Sequence, residues 1–219
     1  MTNVSLAEVI ALLAHDVDGV ARGTGTHLDY GLSGAQLMDL ALAGRIDVVG
    51  NRVAVINPAA TGHPLTDAAL RQIRQDGRAR EPRDWVVRLT RGVRAMVLDR
   101  LVETGMLRRD TDRLLKIFPR TRYPAPGGLE SPVETQARRR MRDAVTGSEP
   151  VDPSTAVLCA LVGAMGWAWR VLPDLPRREV DTRFDEIRRS VWAADAVRMV
   201  IDDARAASTA GTAAAAATA

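Results

Sequence analysis

The sequence has few aromatic residues, one cysteine and one lysine. Aromatic residues make up 4% of the 219 positions, so a hydrophobic core must be built from leucine, valine, isoleucine and alanine. Because Cys159 is the only cysteine, no internal disulfide can form. It lies in an apolar run, which predicts a buried, unreactive thiol. Apart from Lys116, every basic residue other than the histidines is an arginine.

Long hydrophobic runs are also missing. The longest, residues 156–169, is too short to span a bilayer. Near the start, the apolar run at residues 9–14 is short, follows Glu8 and has no basic residue before it, unlike a signal peptide. We therefore expect a cytoplasmic protein whose membrane contact, if it has one, is peripheral and at the inner face.

The sequence contains no catalytic, metal or cofactor motif. His15, His27 and His63 do not have the spacing of metal ligands. There is no phosphate-binding P-loop and no Gly-x-Ser-x-Gly elbow. Gly23-x-Gly25 lacks the third glycine of a dinucleotide-binding loop. We expect a non-enzymatic protein with no catalytic residue, no bound metal and no cofactor.

The apolar content of the sequence predicts one folded domain. Apolar residues make up 46% of the chain, which excludes general disorder. Apolar spacing and capping signals predict a mainly α fold, a single helical domain with two short β-hairpins, over residues 5–206. Residues 207–219 are rich in alanine and predict a disordered tail, since they have nothing to bury. Helices are predicted after Ser5 and at about 33–44, 65–75, 82–103, 133–145, 153–172 and 181–206, hairpins at 46–56 and 106–118, and a loop at 21–30.

Positive charge is concentrated in one part of the chain. The formal net charge is +3, but residues 107–142 contain ten basic and four acidic residues. A local excess of this kind fits an anionic partner, either lipid or nucleic acid.

Two arginines of the predicted long helix suit a phosphate group. Arg91 and Arg94 are three residues apart, so on a continuous helix they share a face. No acidic residue of that helix lies three or four positions from either one. Guanidinium groups bind phosphate oxygens through paired hydrogen bonds. The alternatives are pairing with a carboxylate of another helix, or simple solvation.

The second predicted hairpin combines apolar and basic residues. Apolar residues surrounded by cations are typical of a peripheral membrane contact, because insertion and attraction to an anionic surface add. The alternative is an ordinary hairpin with an apolar face on the core. The residues predicted to contact the membrane are Arg113, Leu114, Leu115 and Lys116.

Several motifs in the same order resemble those of the Golgi phosphoprotein 3 family. Residues 37–46 resemble a helix that ends in Leu-Ala-Leu-x-Gly-Arg. Residues 58–70 are similar to the family segment Pro-Thr-Gly-Asp-x-Leu-Leu-Asp-Glu-Ala-Leu. Residues 85–107 resemble its long helix, and residues 118–124 a stretch of its bacterial members. The resemblance covers residues 5–206.

This resemblance implies a mostly helical domain that binds lipid. Eukaryotic members bind phosphatidylinositol 4-phosphate on Golgi membranes and recognise cytoplasmic tails of resident enzymes. The resemblance assigns the phosphate to Arg91 and Arg94. A third family arginine falls on Ser33, which supplies a hydrogen bond but no charge, and a family tryptophan falls near Thr24. The hairpin at about 110–121 is implied to contact the bilayer and to mediate self-association.

The expected function is therefore that of a peripheral membrane protein that binds a phosphoinositide-like anionic phospholipid, with no nucleic-acid partner. One alternative is a winged-helix-like DNA-binding regulator, formed by the helix at 33–44 and the hairpin at 46–56. That helix, however, offers only Gln36 and Asp39 to base edges. Another alternative is a protein-binding adaptor without lipid affinity. Exposed tryptophans could serve such an adaptor as a binding surface, but tryptophans of apolar helices more often belong to the core. The three on apolar helices are Trp167, Trp169 and Trp192.

Overall fold

The described part of the chain is mainly helical, as predicted. A computed structural model describes residues 4–21, 25–114, 118–147 and 150–217. Within these residues, ten α-helices and two antiparallel two-stranded sheets form one domain. In chain order they are α1 Leu6–Ala14, α2 Gly25–Leu42, β1 Ile46–Val49, β2 Arg52–Val55, α3 Pro64–Asp76, α4 Pro82–Leu89, α5 Val93–Glu103, β3 Asp110–Leu114, β4 Phe118–Arg122, α6 Pro132–Thr146, α7 Pro153–Ala164, α8 Ala168–Val171, α9 Arg177–Arg188 and α10 Trp192–Ala217.

Helix α2 lies at the centre of the fold. It packs against α1, α3, α4, α5, α7 and α10, so apolar residues occur all around it rather than on one stripe. Leu32 and Leu37 are fully buried. Gly34 allows the neighbouring helices to approach closely. A Cβ at this position would lie 2.5 Å from Val197 Cγ2 of α10 and 3.1 Å from Leu161 Cδ2 of α7.

This close approach makes Gly34→Ala destabilising. We expect the free energy of unfolding to fall by about 1–3 kcal/mol, because the β-branched Val197 side chain has little rotamer freedom with which to move away. Gly163→Ala in α7 is the comparison variant: its added Cβ would meet Phe184 Cβ at 3.3 Å, which is tight but less so than the contact at Gly34, so it should lose less stability. Urea denaturation measures both variants. Equal stability of the two would contradict the packing described at Gly34.

Locally encoded elements are found where the sequence predicts them. Ser5 caps α1: its Oγ accepts from the Glu8 N–H at 3.2 Å, and Glu8 Oε2 accepts from the Ser5 N–H at 2.8 Å. In the first hairpin Val49 pairs with Arg52 across Gly50 and Asn51. Those two residues have φ values of 56° and 60°, the left-handed conformation that a two-residue hairpin turn requires. The helices predicted at 65–75 and 133–145 are also confirmed as α3 and α6.

The prediction of one continuous helix over residues 82–103 is wrong. Helix α4 ends at Leu89 and α5 begins at Val93. Between them Gly92 has a φ of 75°, a left-handed conformation that suits glycine. The apolar spacing continues across the break, because residues on both sides of the break are buried. Hydrophobic periodicity alone therefore does not reveal that the helix is interrupted. The helices predicted at 153–172 and 181–206 are likewise divided, between α7 and α8 and between α9 and α10.

Two further boundaries differ from the prediction. Helix α2 begins at Gly25 rather than near residue 33, because Leu28 and Leu32 are buried and hold the glycine-containing segment in the helix. In the second hairpin, the first strand begins at Asp110 rather than near 106. The N–H groups of Met106 and Leu107 instead donate to Leu101 O, which ends α5. Residues 110–113, at the middle of the predicted hairpin, are strand rather than turn.

Helix α10 extends to Ala217, past the predicted domain end at 206. Among its described side chains, the buried ones lie between Ala193 and Ile201. Packing on the rest of the domain is therefore concentrated in the first turns of α10. A separate tail at 207–219 stays a prediction.

Candidate functional site

The turn between α4 and α5 presents a helix N-terminus beside both predicted arginines. Gly92 precedes the first residue of α5 and supplies no capping side chain. The first i−4 bond of α5 runs from the Met96 N–H to Gly92 O, at 3.0 Å. The amides of Arg94 and Ala95 precede that bond. Such first-turn N–H groups carry partial positive charge and favour an anion.

Arg91 is the open cation of this turn. Its side chain is exposed, and no carboxylate of residues 4–21, 25–114, 118–147 or 150–217 lies within 4 Å of it. It lines a surface cavity of about 390 Å³ together with Arg88 and Gln72. Arg88 is paired with Asp76 at 2.6 Å. Arg91 is thus the guanidinium in this cavity that is available to an external anion.

Arg94 already has an internal partner. Its Nη2 lies 2.9 Å from Asp29 Oδ1 on α2, and it also donates to the carbonyl of Gly25. The side chain of Arg94 is 34% exposed. Burial raises the pKa of Asp29 above its usual value, and Arg94 opposes that shift. The pairing with a carboxylate of another helix, left open as an alternative by the sequence, is therefore present for Arg94 but, within the described part of the chain, not for Arg91.

Ser33 does not join the two arginines in an exposed site. Its side chain is completely buried, and its Oγ donates to the carbonyl of Asp29 one turn earlier in α2, at 2.8 Å. The hydroxyl therefore bonds its own helix. We leave Ser33 out of the site proposed below.

The second hairpin is attached to the helix that carries Arg94. Arg109, just before β3, pairs with Asp99 of α5, and its guanidinium carbon lies 5.7 Å from the centre of the Tyr123 ring. Within the hairpin, Arg113 pairs with Pro119 and Leu114 with Phe118. Leu115 and Lys116 lie outside the described residues. Membrane contact by all four predicted residues stays a prediction.

The segment that follows α1 is bonded to the base of the hairpin. Gly19 O accepts from the Tyr123 N–H at 3.2 Å, and Val17 O accepts from the Ala125 N–H at 3.1 Å. Gly19 has a φ of 78°, and a Cβ there would collide with the backbone at Pro124. These bonds fix the base of the hairpin against the segment that follows α1.

Comparison with known protein families supports the resemblance described above. A family model, Golgi phosphoprotein 3 (GPP34), matches residues 6–204. The chain belongs to the Golgi phosphoprotein 3 family. A search of curated proteins gives no match. Among the described helices of this family member, none combines the length and the hydrophobicity needed to cross a bilayer.

One family motif has a structural explanation in this Golgi phosphoprotein 3 member. At the start of α3, Asp67 Oδ1 accepts from the Thr61 N–H at 2.6 Å and from Thr61 Oγ1 at 2.7 Å. Asp67 Oδ2 also accepts from the Gly62 N–H at 3.2 Å. The Thr-Gly-x-Pro-Leu-x-Asp pattern thus fixes the turn into the helix, and these bonds lower the pKa of Asp67 against the opposing effect of burial.

The residues on which the DNA-binding alternative relied are not presented to solvent. Gln36 is buried, and Asp39 accepts from the Leu6 N–H at 3.0 Å. Trp167 is buried as predicted, but Trp169 is 43% exposed, so its assignment to the core is wrong. Cys159 is buried, and burial raises the pKa of its thiol to about 12, as expected for an inert cysteine.

Sequence reasoning missed a buried polar cluster next to α1. Glu8 Oε2 lies 3.0 Å from His63 Nε2, and both side chains are buried. Among the described residues of this Golgi phosphoprotein 3 member, no group of three or more histidine, cysteine or acidic residues is arranged to hold a metal ion. The sequence around Glu8 has the pattern of a helix cap, and no local pattern links it to a histidine 55 positions away.

Proposed function

We propose that this protein binds anionic phospholipid head groups at a membrane surface. Arg91 is the principal cation, and the amino-terminal end of α5 attracts the same phosphate through its partial positive charge. The proposal rests on one observation: Arg91 is exposed beside a helix N-terminus and has no carboxylate partner among the described residues. Membership of the Golgi phosphoprotein 3 family supports it.

Arg94 has a second, conditional part in this proposal. It contacts the head group only when the lipid phosphate replaces Asp29 as its partner. The hairpin contributes apolar residues and further cations at the bilayer, with Arg113, Leu114, Leu115 and Lys116 as its contacts. The protein acts as a binding protein rather than an enzyme, on the cytoplasmic face of a membrane. Self-association through the hairpin belongs to the same proposal.

Vesicle sedimentation tests the proposal. The full-length protein is mixed with vesicles of phosphatidylcholine alone, or with added phosphatidylglycerol or phosphatidylinositol 4-phosphate. We expect pelleting only with anionic vesicles and a loss of affinity of roughly tenfold or more in Arg91→Ala, because a hydrogen bond to a charged group is worth about 1.5–3 kcal/mol. Arg94→Ala should weaken binding less, since Asp29 already competes for that side chain.

Arg178→Ala is the control, because it removes the same charge from an exposed position on α9. It should bind like the unmodified protein. Equal pelleting with neutral and anionic vesicles would refute the proposal, as would unchanged binding of the Arg91→Ala/Arg94→Ala double variant. A stronger response to phosphatidylinositol 4-phosphate than to phosphatidylglycerol at equal vesicle charge would identify a phosphoinositide preference.

A further inference from the structure

A second open surface lies between β2 and the carboxyl-terminal end of α3. We call it the β2–α3 groove. Its volume is about 630 Å³, and it shares no lining residue with the cavity beside Arg91. Its apolar lining is aliphatic and includes Val53, Val55 and Ile73. Its basic lining residues are Arg52, Arg74 and Arg78.

These three arginines have no acidic partner within the part of the chain that the structure describes. Arg52 Nη1 donates to Ala79 O at 2.5 Å, and Arg74 Nη1 donates to Pro58 O at 3.5 Å. Each bond uses one of five guanidinium N–H donors, so the remaining donors are available. Asp76, the acidic residue at this end of α3, is occupied by Arg80 and Arg88. The groove therefore has a positive rim that its own acidic neighbours do not neutralise.

The exposed edge of β2 adds backbone groups to the groove. Ile56 donates to Arg45 O, so in this antiparallel pair the peptide groups of Val53 and Val55 point away from β1. At Val53 the edge is already occupied, because the Val53 N–H donates to Arg80 O at 2.8 Å. Among the described residues that bridge is isolated and no strand continues it beside Val55. A strand edge with free peptide groups can accept an extended peptide.

We propose that the β2–α3 groove binds an acidic, partly apolar segment of a partner protein in an extended conformation. The segment's backbone pairs with β2 at Val55. Alternate side chains enter the aliphatic floor, and carboxylates bind Arg52, Arg74 and Arg78. Charge complementarity and the open strand edge select this partner. Single-stranded nucleic acid fits less well, because none of the groove's lining residues is aromatic and bases stack on aromatic side chains.

Fluorescence anisotropy with the full-length protein tests this inference. The probe is a labelled eight-residue peptide that alternates glutamate and valine. We expect saturable binding that weakens as salt is added. The Arg52→Ala/Arg78→Ala variant should bind roughly tenfold more weakly or worse, since it removes two charge-assisted contacts. Circular dichroism checks that the variant is folded, and Arg178→Ala again controls for net charge.

Two further probes separate the sources of affinity. A peptide with glutamine in place of glutamate should lose about as much affinity as the double variant. A peptide with N-methyl groups along one edge should lose binding as well, although its charge is unchanged, because it can no longer pair with β2. Binding that survives the methylation would overturn the strand-pairing proposal.

Competition experiments distinguish other ligands. An oligonucleotide or an anionic vesicle that displaces the peptide, and whose own binding also requires Arg52 and Arg78, would replace the peptide proposal with nucleic-acid or lipid binding at this groove. Arg91→Ala should leave peptide binding unchanged. Failure of the groove proposal is therefore distinguishable from failure of head-group binding.

Discussion

Replacing Glu8 with alanine should lower the free energy of unfolding by about 3–5 kcal/mol, because the change removes one partner of a buried polar pair and leaves the other partner buried. Glu8 is 1% exposed. Its Oε2 accepts from the N–H and the hydroxyl of Ser5, each at 2.8 Å, and lies 3.0 Å from His63 Nε2. Alanine would remove the return bond of the α1 capping box and leave a buried histidine without its partner.

Urea denaturation at pH 7 measures this loss. Glu8→Gln should lose less, since an amide oxygen can still accept from Ser5. Glu103→Ala is the control: its side chain is 68% exposed and pairs with Arg100 at 3.5 Å, so removal should change stability by less than about 0.5 kcal/mol. If Glu8→Ala were no less stable than Glu103→Ala, the buried network would not stabilise the fold.

The second large effect is a dependence of stability on pH that originates at Asp39. Burial raises the pKa of this carboxyl group from 3.8 to about 7, against the opposing effect of hydrogen bonds from the backbone of α1. The folded state therefore holds the proton more tightly than the unfolded state. The contribution of Asp39 to stability should therefore be most favourable below about pH 4 and should fall as the pH rises from about 4 to about 7. A difference of this size corresponds to roughly 4 kcal/mol.

The neighbouring groups determine where this trend is visible. The pKa of His63 is raised, chiefly by its hydrogen bond to Glu8, so its contribution is present below 6.5 and is lost as the pH rises through its folded pKa. The pKa of Glu8 is lowered: burial acts to raise it, and the bonds from His63 and Ser5 outweigh that effect. Its contribution is lost only as the pH falls below about 4.5. We therefore expect a higher melting temperature at pH 5.5 than at pH 8.

Asp39→Asn isolates the contribution of Asp39. Asparagine keeps an oxygen that can accept from the Leu6 N–H, but it cannot ionise. The variant should be more stable than the unmodified protein at pH 8. Its stability should change less between pH 5.5 and pH 8, with the contribution of His63 remaining. Thermal melts followed by circular dichroism measure both. Asp181→Asn, at an exposed site on α9, should retain the original pH dependence. An unchanged slope in Asp39→Asn would show that the carboxyl group ionises normally in the fold.

The sequence predicts the elements whose signals are local. The Ser5 cap and the Gly50-Asn51 turn involve neighbours within a few residues, so their chemistry can be read directly from the chain. The break at Gly92 was not predicted, because apolar spacing continues through it. The start of α2 was missed because Gly23, Gly25 and Thr26 suggest a loop, whereas burial of Leu28, a tertiary effect, favours helix.

In the candidate site, too, the sequence predicts what depends on neighbouring residues and misses what depends on tertiary packing. Local spacing indicates that neither Arg91 nor Arg94 has an acidic residue three or four positions away, and neither has an ion pair with an acidic residue so near in the described chain. It cannot show Asp29, which lies 65 positions from Arg94 and comes close only through the packing of α2 on α5. It also places the two arginines on one continuous helix. Because the helix breaks, Arg91 instead stands in a turn before a new helix N-terminus.

Asp29 makes Arg94 a selective cation. A ligand binds the Arg94 guanidinium only by displacing the Asp29 carboxylate. The displaced carboxylate is then left partly buried without its positive partner. A singly charged anion offers Arg94 little more than Asp29 already does, whereas a multiply charged phosphate offers a stronger field. In the proposed head-group binding, the ion pair therefore sets a charge threshold: Arg91 binds many anions, whereas Arg94 binds only the most highly charged of them.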